Sequence, residues 1–199
     1  KKISASLPIK LYGKFEAVNP AGSTKDRIAI SIVEAAEKSG MLKPGGTIIE
    51  ATAGKTGLGL ALVAAVKGYK CIFVVPTKMS AEKVALLKAF GAEVVITPTD
   101  VTPDSPASYN SVADKLAKEI SGAFRASQFA NEENPKAHYQ TTGPEIWKDT
   151  NGKVDVLVAG AGTGGTISGT GSYLKEQNPN LKVVLADPEG SILSGDHPR

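Results

Sequence analysis

Val154-Asp155-Val156-Leu157-Val158-Ala159-Gly160-Ala161-Gly162-Thr163-Gly164-Gly165-Thr166 carries a β-branched run directly into a turn that holds four glycines. A helical pattern follows it and ends near Gln177. Strand, glycine turn and helix in that order are the building unit of a parallel α/β sheet, whose ligands bind beyond the carboxyl ends of the strands. The turn itself suits an anion. Its glycines let the backbone approach closely, and the N–H groups of the loop and helix start, with the Thr163 and Thr166 hydroxyls, can satisfy phosphate oxygens.

The same alternation extends in both directions. Apolar runs rich in Val and Ile predict strands near residues 9–16, 46–51, 70–75, 92–97, 153–159 and 181–187. Helical-period segments fill the gaps near residues 24–39, 56–68, 80–90, 107–121, 136–149 and 165–177. The class is α/β, with mostly parallel, twisted sheet covered by helices on both faces.

Composition narrows the function. Lys and Arg number 23 against 20 Asp and Glu in 199 residues, and a net charge of +3 gives no reason to invoke a nucleic-acid backbone. A single cysteine makes no internal disulfide, and 41% hydrophobic with 22% charged residues is ordinary for a folded, water-soluble protein. The longest nearly apolar stretch, Leu58 to Val66, is less than half of the ~18 residues of a membrane-spanning helix. A small ligand is therefore expected, with no membrane and no nucleic acid. The chain begins at Lys1, so a preceding targeting segment stays open, and a cytoplasmic location is the expectation.

Two further turns stand out. Asn19-Pro20-Ala21-Gly22-Ser23-Thr24-Lys25-Asp26-Arg27 reads as a helix start in which Ser23 caps and Asp26 is the third-residue acid. That places Lys25 in the first helical turn, where the dipole and partial burial favour its neutral amine, the nucleophilic form needed for a Schiff base. A well-capped helix with a solvated lysine is the plainer reading of this turn alone. Thr47-Ile48-Ile49-Glu50-Ala51-Thr52-Ala53-Gly54-Lys55-Thr56-Gly57 is a strand running into a polar glycine turn whose N–H groups and hydroxyls suit a carboxylate or phosphate. Gly54-Lys55-Thr56 matches the end of a P-loop, but Ile49 stands where that motif needs its first glycine. A dinucleotide fingerprint is also present, through Gly160, Gly162 and Gly165 with Asp187 at the end of the next strand.

Taken in order, the three turns resemble those of the pyridoxal-phosphate enzymes of the cysteine synthase and cystathionine β-synthase family. The similarity extends over nearly all of the chain. Asn-Pro-x-Gly-Ser-x-Lys-Asp-Arg resembles the segment that carries the cofactor-binding lysine, here Lys25. Thr52, Ala53, Gly54 and Thr56 look like the substrate-carboxylate loop, and Gly162, Thr163, Gly164, Gly165 and Thr166 look like the phosphate cradle. Gln128, seven residues before Pro135, falls where the family holds the substrate carboxylate with a glutamine. Asp104-Ser105-Pro106, Asn134-Pro135-x-Ala137-His138-Tyr139 and Asp187-Pro188-Glu189-Gly190-Ser191-Ile192-Leu193 look more like cystathionine β-synthase than the plain cysteine synthases.

The resemblance implies the pyridoxal-phosphate fold type II, similar to the tryptophan synthase β subunit, with the chain lacking the C-terminal part of the catalytic core. It implies two interleaved α/β lobes, the smaller at about residues 50–145. It implies β-replacement on serine or O-acetylserine by homocysteine or sulfide, with Lys25 as catalytic base, and a homodimer. Two departures qualify the match. Ala53 replaces the family's serine, and Lys55 replaces the asparagine that contacts the cofactor's phenolic oxygen. A non-catalytic relative that keeps the cofactor is therefore an alternative, as is the dinucleotide reading. No metal site is expected, because His138 and His197 lie far apart; Cys71 reads as core, and Trp147 as core or packing surface.

Overall fold

The computed structural model describes residues 5–52, 54–191 and 193. Four parallel strands, β1 (Thr47–Ala51), β2 (Lys70–Pro76), β3 (Glu93–Thr97) and β4 (Ala123–Arg125), form one sheet in the order β3-β2-β1-β4. A second sheet pairs β5 (Val156–Ala159) with β6 (Lys182–Leu185), also parallel. β1 is buried along its whole length, as expected for a strand flanked by neighbours on both edges and helices on both faces.

On one face pack α1 (Lys25–Lys38), α2 (Lys55–Lys67) and α3 (Ala81–Ala89), whose Ile28, Ile32, Leu60 and Leu87 close over Ile48 and Phe73. On the other lies α4 (Tyr109–Glu119), whose Ala113 joins Ile49 and Val74. The chain thus winds β1-α2-β2-α3-β3 along one face and returns through α4 to β4 on the far side of β1. The crevice between the carboxyl ends of β1 and β4 is a topological switch point, where open α/β sheets bind ligands.

α5 (Glu133–Ala137), a π-helical turn (His138–Thr142) and α6 (Gly143–Asp149) lead to β5, and α7 (Gly165–Gln177) joins β5 to β6. The helix expected over 136–149 is therefore broken. Pro144 has no N–H to donate back to the preceding turn, and the ladder slips to wider spacing just before it.

Two strand expectations need correction. Residues 9–16 alternate in polarity but form no strand; Ile9, Leu11, Tyr12 and Phe15 are exposed, and no described strand lies beside them to supply a ladder. Lys14 and Glu16 are held instead by ion pairs, Lys14 to Glu145 at 2.7 Å and Glu16 to Arg27 at 2.7 Å. Conversely, Ala123–Arg125 was not expected as a strand, yet it pairs with Thr47–Ile49. Three residues ending in arginine give too short an apolar pattern to read.

One close approach brings α1 against α2. A Cβ on Gly59 would lie 2.9 Å from the carbonyl oxygen of Lys25 and 3.2 Å from the Ala29 methyl, so only glycine lets the first turn of α1 rest on α2.

Candidate active site

The first turn is folded by its own polar groups. The Asp26 carboxylate accepts from the Ala21 N–H at 2.6 Å, while the Ser23 hydroxyl accepts from the Lys25 N–H at 3.1 Å. This corrects the expected capping box: the acid reaches back beyond Ser23 to Ala21, and Thr24, already in helical conformation, precedes the helix. Lys25 opens α1 half-buried, and that burial holds its ammonium below the ordinary lysine range.

The second turn leaves β1. Thr52 accepts on its hydroxyl from the Gly54 N–H at 3.1 Å, which tightens the chain into α2; Ala53 lies outside the described residues. Thr56, buried in the first turn of α2, donates its hydroxyl proton to the side-chain oxygen of Gln128. Lys55 beside it is exposed, and its Nζ lies 3.9 Å from where a Cβ on Gly22 would be. Its side chain thus spans from the second turn to the first.

Gln128 is delivered by β4. The Ala126 N–H continues the ladder to Ile49 at 3.0 Å, and Ser127 then turns at φ 51° in the left-handed region. That turn is held by Glu50 of β1, whose carboxylate accepts from the Ser127 N–H at 2.7 Å and from Arg125 at 2.6 Å. Burial pushes the Glu50 carboxyl up, against the pull of Arg125 and the backbone N–H groups of Ser127 and Gln128. Sequence reading missed Glu50, although an acid inside a strand of buried apolar residues was the available signal.

The third turn follows β5. Gly162 and Gly164 have open space where a side chain would stand, Gly164 sits at φ 81°, and α7 starts at Gly165 with no side-chain cap. Such a loop leaves helix-start N–H groups to an external anion. Asn134, buried in α5, donates to the Thr163 hydroxyl and to the Gln128 carbonyl, each at 2.9 Å. His138, fully buried, bonds Thr166 through Nε2 at 3.1 Å and Thr142 through Nδ1 at 2.9 Å. Burial first, then the charges of Lys25 and Arg27, depress its imidazole to about 4.

All three turns are thereby joined. Thr56 meets Gln128, Asn134 ties Gln128 to Thr163, His138 touches Thr166, and the Lys25 carbonyl rests on α2 at Gly59. A cleft of about 190 Å³ opens between the Gln128–Pro135 loop and the start of α7, lined among others by Gln128, Asn134, Thr163 and Gly165. An amine with a lowered pKa, a carboxylate-sized polar turn and an uncapped glycine cradle are the donor set that an aldehyde cofactor with a phosphate tail requires, so these residues fit it.

Among the described residues no cluster of His, Cys, Asp or Glu could hold a metal ion, and no helix is long and apolar enough to cross a membrane. Cys71 is buried, its thiol pushed up to about 12 by that burial. It is a core residue.

A parallel α/β scaffold with a lysine turn, a polar turn and a glycine cradle defines a class, and sequence comparison agrees: residues 1–197 match the family model described as pyridoxal-phosphate dependent enzyme, and the chain belongs to that family. Within it, the chain is 55% identical over 190 residues to a cystathionine beta-synthase of Apis mellifera, an alignment covering 96% of this chain and 38% of the relative. It is 49% identical to a cysteine synthase of Staphylococcus aureus, over 94% of this chain and 60% of the relative. The crystal structure of an O-acetylserine dependent cystathionine beta-synthase from Helicobacter pylori superposes with a TM-score of 0.88 at 41% identity, covering 98% of this chain and 64% of that one. The chain thus spans between about two fifths and two thirds of the length of these relatives. The dinucleotide reading of Gly160, Gly162, Gly165 and Asp187 finds no support in these matches.

Proposed function

We propose that this chain carries the cofactor lysine, substrate loop and phosphate cradle of a β-replacement enzyme that acts on serine or O-acetylserine with a thiol, homocysteine or sulfide. The observation that carries the reading is the joining of three sequence-distant turns: the Lys25 turn rests on α2 at Gly59, Thr56 at the start of α2 bonds Gln128, and Asn134 ties Gln128 to Thr163. Names of similar proteins support the chemistry. They are cystathionine beta-synthases and cysteine synthases.

In this reading the glycine cradle of Gly162, Thr163, Gly164, Gly165 and Thr166 holds the phosphate, with helix-start N–H groups and the α7 dipole favouring its charge. Lys25 Nζ anchors the other end. Pyridoxal phosphate, when bound, supplies an electrophilic carbon and a conjugated ring that takes up the negative charge left at the substrate Cα. Thr52, Ala53, Gly54, Thr56 and Gln128 bind the substrate carboxylate, which orients the Cα–H bond towards Lys25. Once released from its anchoring role, the Lys25 amine removes the Cα proton; burial lowers its pKa from the ordinary lysine value and so favours the neutral form that this step needs. Lys55 places a cation at the mouth of the same turn.

The four-stranded sheet, with the helices that cover it, would then form the smaller of two interleaved lobes, and the whole protein would act as a cytoplasmic homodimer on small amino-acid and thiol substrates. Light scattering of the full-length protein tests the dimer. The catalytic reading is tested by colour and labelling. Protein given pyridoxal phosphate should turn yellow, borohydride should fix the cofactor on Lys25, and Lys25→Ala should bind it without a covalent link. A protein that stays colourless overturns the reading. One that is yellow but releases nothing from serine or O-acetylserine is the non-catalytic relative instead.

A further inference from the structure

Asn134 belongs to a motif that the catalytic reading leaves without a task. It is 2% exposed, on a short helix that contributes no other polar group to the cleft's hydrogen-bond chain. Its side-chain nitrogen carries two protons and has two acceptors, the Gln128 carbonyl and the Thr163 hydroxyl, each at 2.9 Å. Because a carbonyl only accepts, the end of the amide that faces Gln128 must be the nitrogen. The other end, Oδ1, is buried with no hydrogen-bond partner among the described residues, against the start of α7, 2.0 Å from where a Cβ on Gly165 would stand. Gly165 is thus required by this amide as well as by any anion.

The consequence falls on Thr163. Its oxygen accepts from Asn134 and, at 3.4 Å, from the Gly165 N–H. A hydroxyl has two lone pairs and one proton, so with both lone pairs engaged the proton is left to donate. We propose that Asn134 is a positioning residue: spanning from the Gln128 carbonyl, it fixes the Thr163 hydroxyl as a donor to the cofactor's phosphate and sets the cradle in register with the carboxylate-binding arm. The inference rests on the cradle assignment above. Neither aspartate nor leucine would serve at this position, since neither supplies the two donors.

The experiment is a double-mutant cycle on the full chain, read as equilibrium affinity rather than turnover. Pyridoxal phosphate and phosphate-free pyridoxal are each titrated, by visible absorbance, into wild type, Asn134→Ala, Thr163→Val and the double variant. Each single change should weaken pyridoxal phosphate about tenfold, the scale of one hydrogen bond to a charged group, and leave pyridoxal within about twofold. The double variant should be no weaker than the weaker single one. Thr163→Ser, which keeps the hydroxyl, should bind like wild type. Additive losses in the double variant overturn the proposal, as does an equal loss for pyridoxal, which would mark Asn134 as a general structural support. If Thr163→Val itself binds normally, the cradle assignment fails instead. Should Asn134→Ala melt below the assay temperature, Asn134→Ser, too short to span both acceptors, carries the same expectations.

Discussion

The Thr56 hydroxyl donates to the side-chain oxygen of Gln128 across 72 positions of sequence, from the start of α2 to the loop after β4. β1 and β4 are neighbours in the sheet, so the two residues meet at its switch point. The bond also sets the amide's orientation: with its oxygen held by Thr56, the Gln128 NH2 group is the end left to donate, and in the proposed function its acceptor is the substrate carboxylate.

Gln128→Glu should therefore damage amino-acid binding and spare the cofactor. The substitution replaces two donors with a second anion, and a site built to hydrogen-bond its ligand loses heavily when its donors go. The KM for serine or O-acetylserine should rise by roughly a hundredfold, with pyridoxal phosphate affinity within a few-fold of wild type. Steady-state kinetics and an absorbance titration check both arms. An unchanged KM would remove Gln128 from the substrate site.

His138 should make stability depend on pH. Its imidazole protonates near 6.5 in the unfolded chain and near 4 in the fold, where burial leads the depression and Lys25 and Arg27 add to it. Between those values the unfolded state binds the extra proton, so stability is full above about pH 6.5 and falls as the pH drops towards 4. The loss attributable to this one group is on the order of 3 kcal/mol. Urea unfolding at pH 7 and pH 4.5 should show the wild type losing more than His138→Asn; parallel losses in the two proteins would exclude the imidazole as the cause.

Sequence legibility followed the range of the interactions. The parallel sheet was readable because runs such as Phe73 to Val75 are buried on both faces and must be apolar throughout. The turn after β5 was readable because its glycine density has few other uses, whereas the Lys25 turn, with Gly22 alone, stood out only once the three turns were taken in order. What escaped was set by contacts between distant segments. Glu50 looks like a misplaced acid until Arg125 and Ser127 are folded onto it, and Asn134 is one polar residue among several until it is seen between Gln128 and Thr163. The segment over 9–16 failed in the opposite sense, since alternation marks a strand only where a partner strand lies alongside.

Lys55 should separate stability from binding. It is exposed in the first turn of α2, where a cation opposes the positive end of the helix dipole, and it has no ion-pair partner among the described residues. Lys55→Glu should stabilise the fold by about 0.5–1 kcal/mol in thermal or urea unfolding. If the turn binds the substrate carboxylate as proposed, the same change should weaken amino-acid binding at least tenfold at low salt, and less as ionic strength rises, because it turns a cation beside that turn into an anion. Tighter amino-acid binding in Lys55→Glu would show that the lysine obstructs the turn.

Gly59→Ala sets two known effects against each other. In a helix interior, alanine is favoured over glycine by about 1 kcal/mol, so on propensity alone the change should stabilise α2. The added methyl, however, would sit 2.9 Å from the Lys25 carbonyl oxygen, a backbone atom that cannot swing aside as a side chain can. Overpacking of this kind costs about 1–3 kcal/mol, which exceeds the propensity gain over most of its range. Relief would come from sliding α1 away from α2, and Lys25 is the residue at the point of contact. The expected result is a net loss of up to about 2 kcal/mol in urea unfolding, together with slower borohydride labelling of Lys25 in the cofactor-loaded protein. A variant that is more stable than wild type and labels at the same rate would show that the two helices have room to spare.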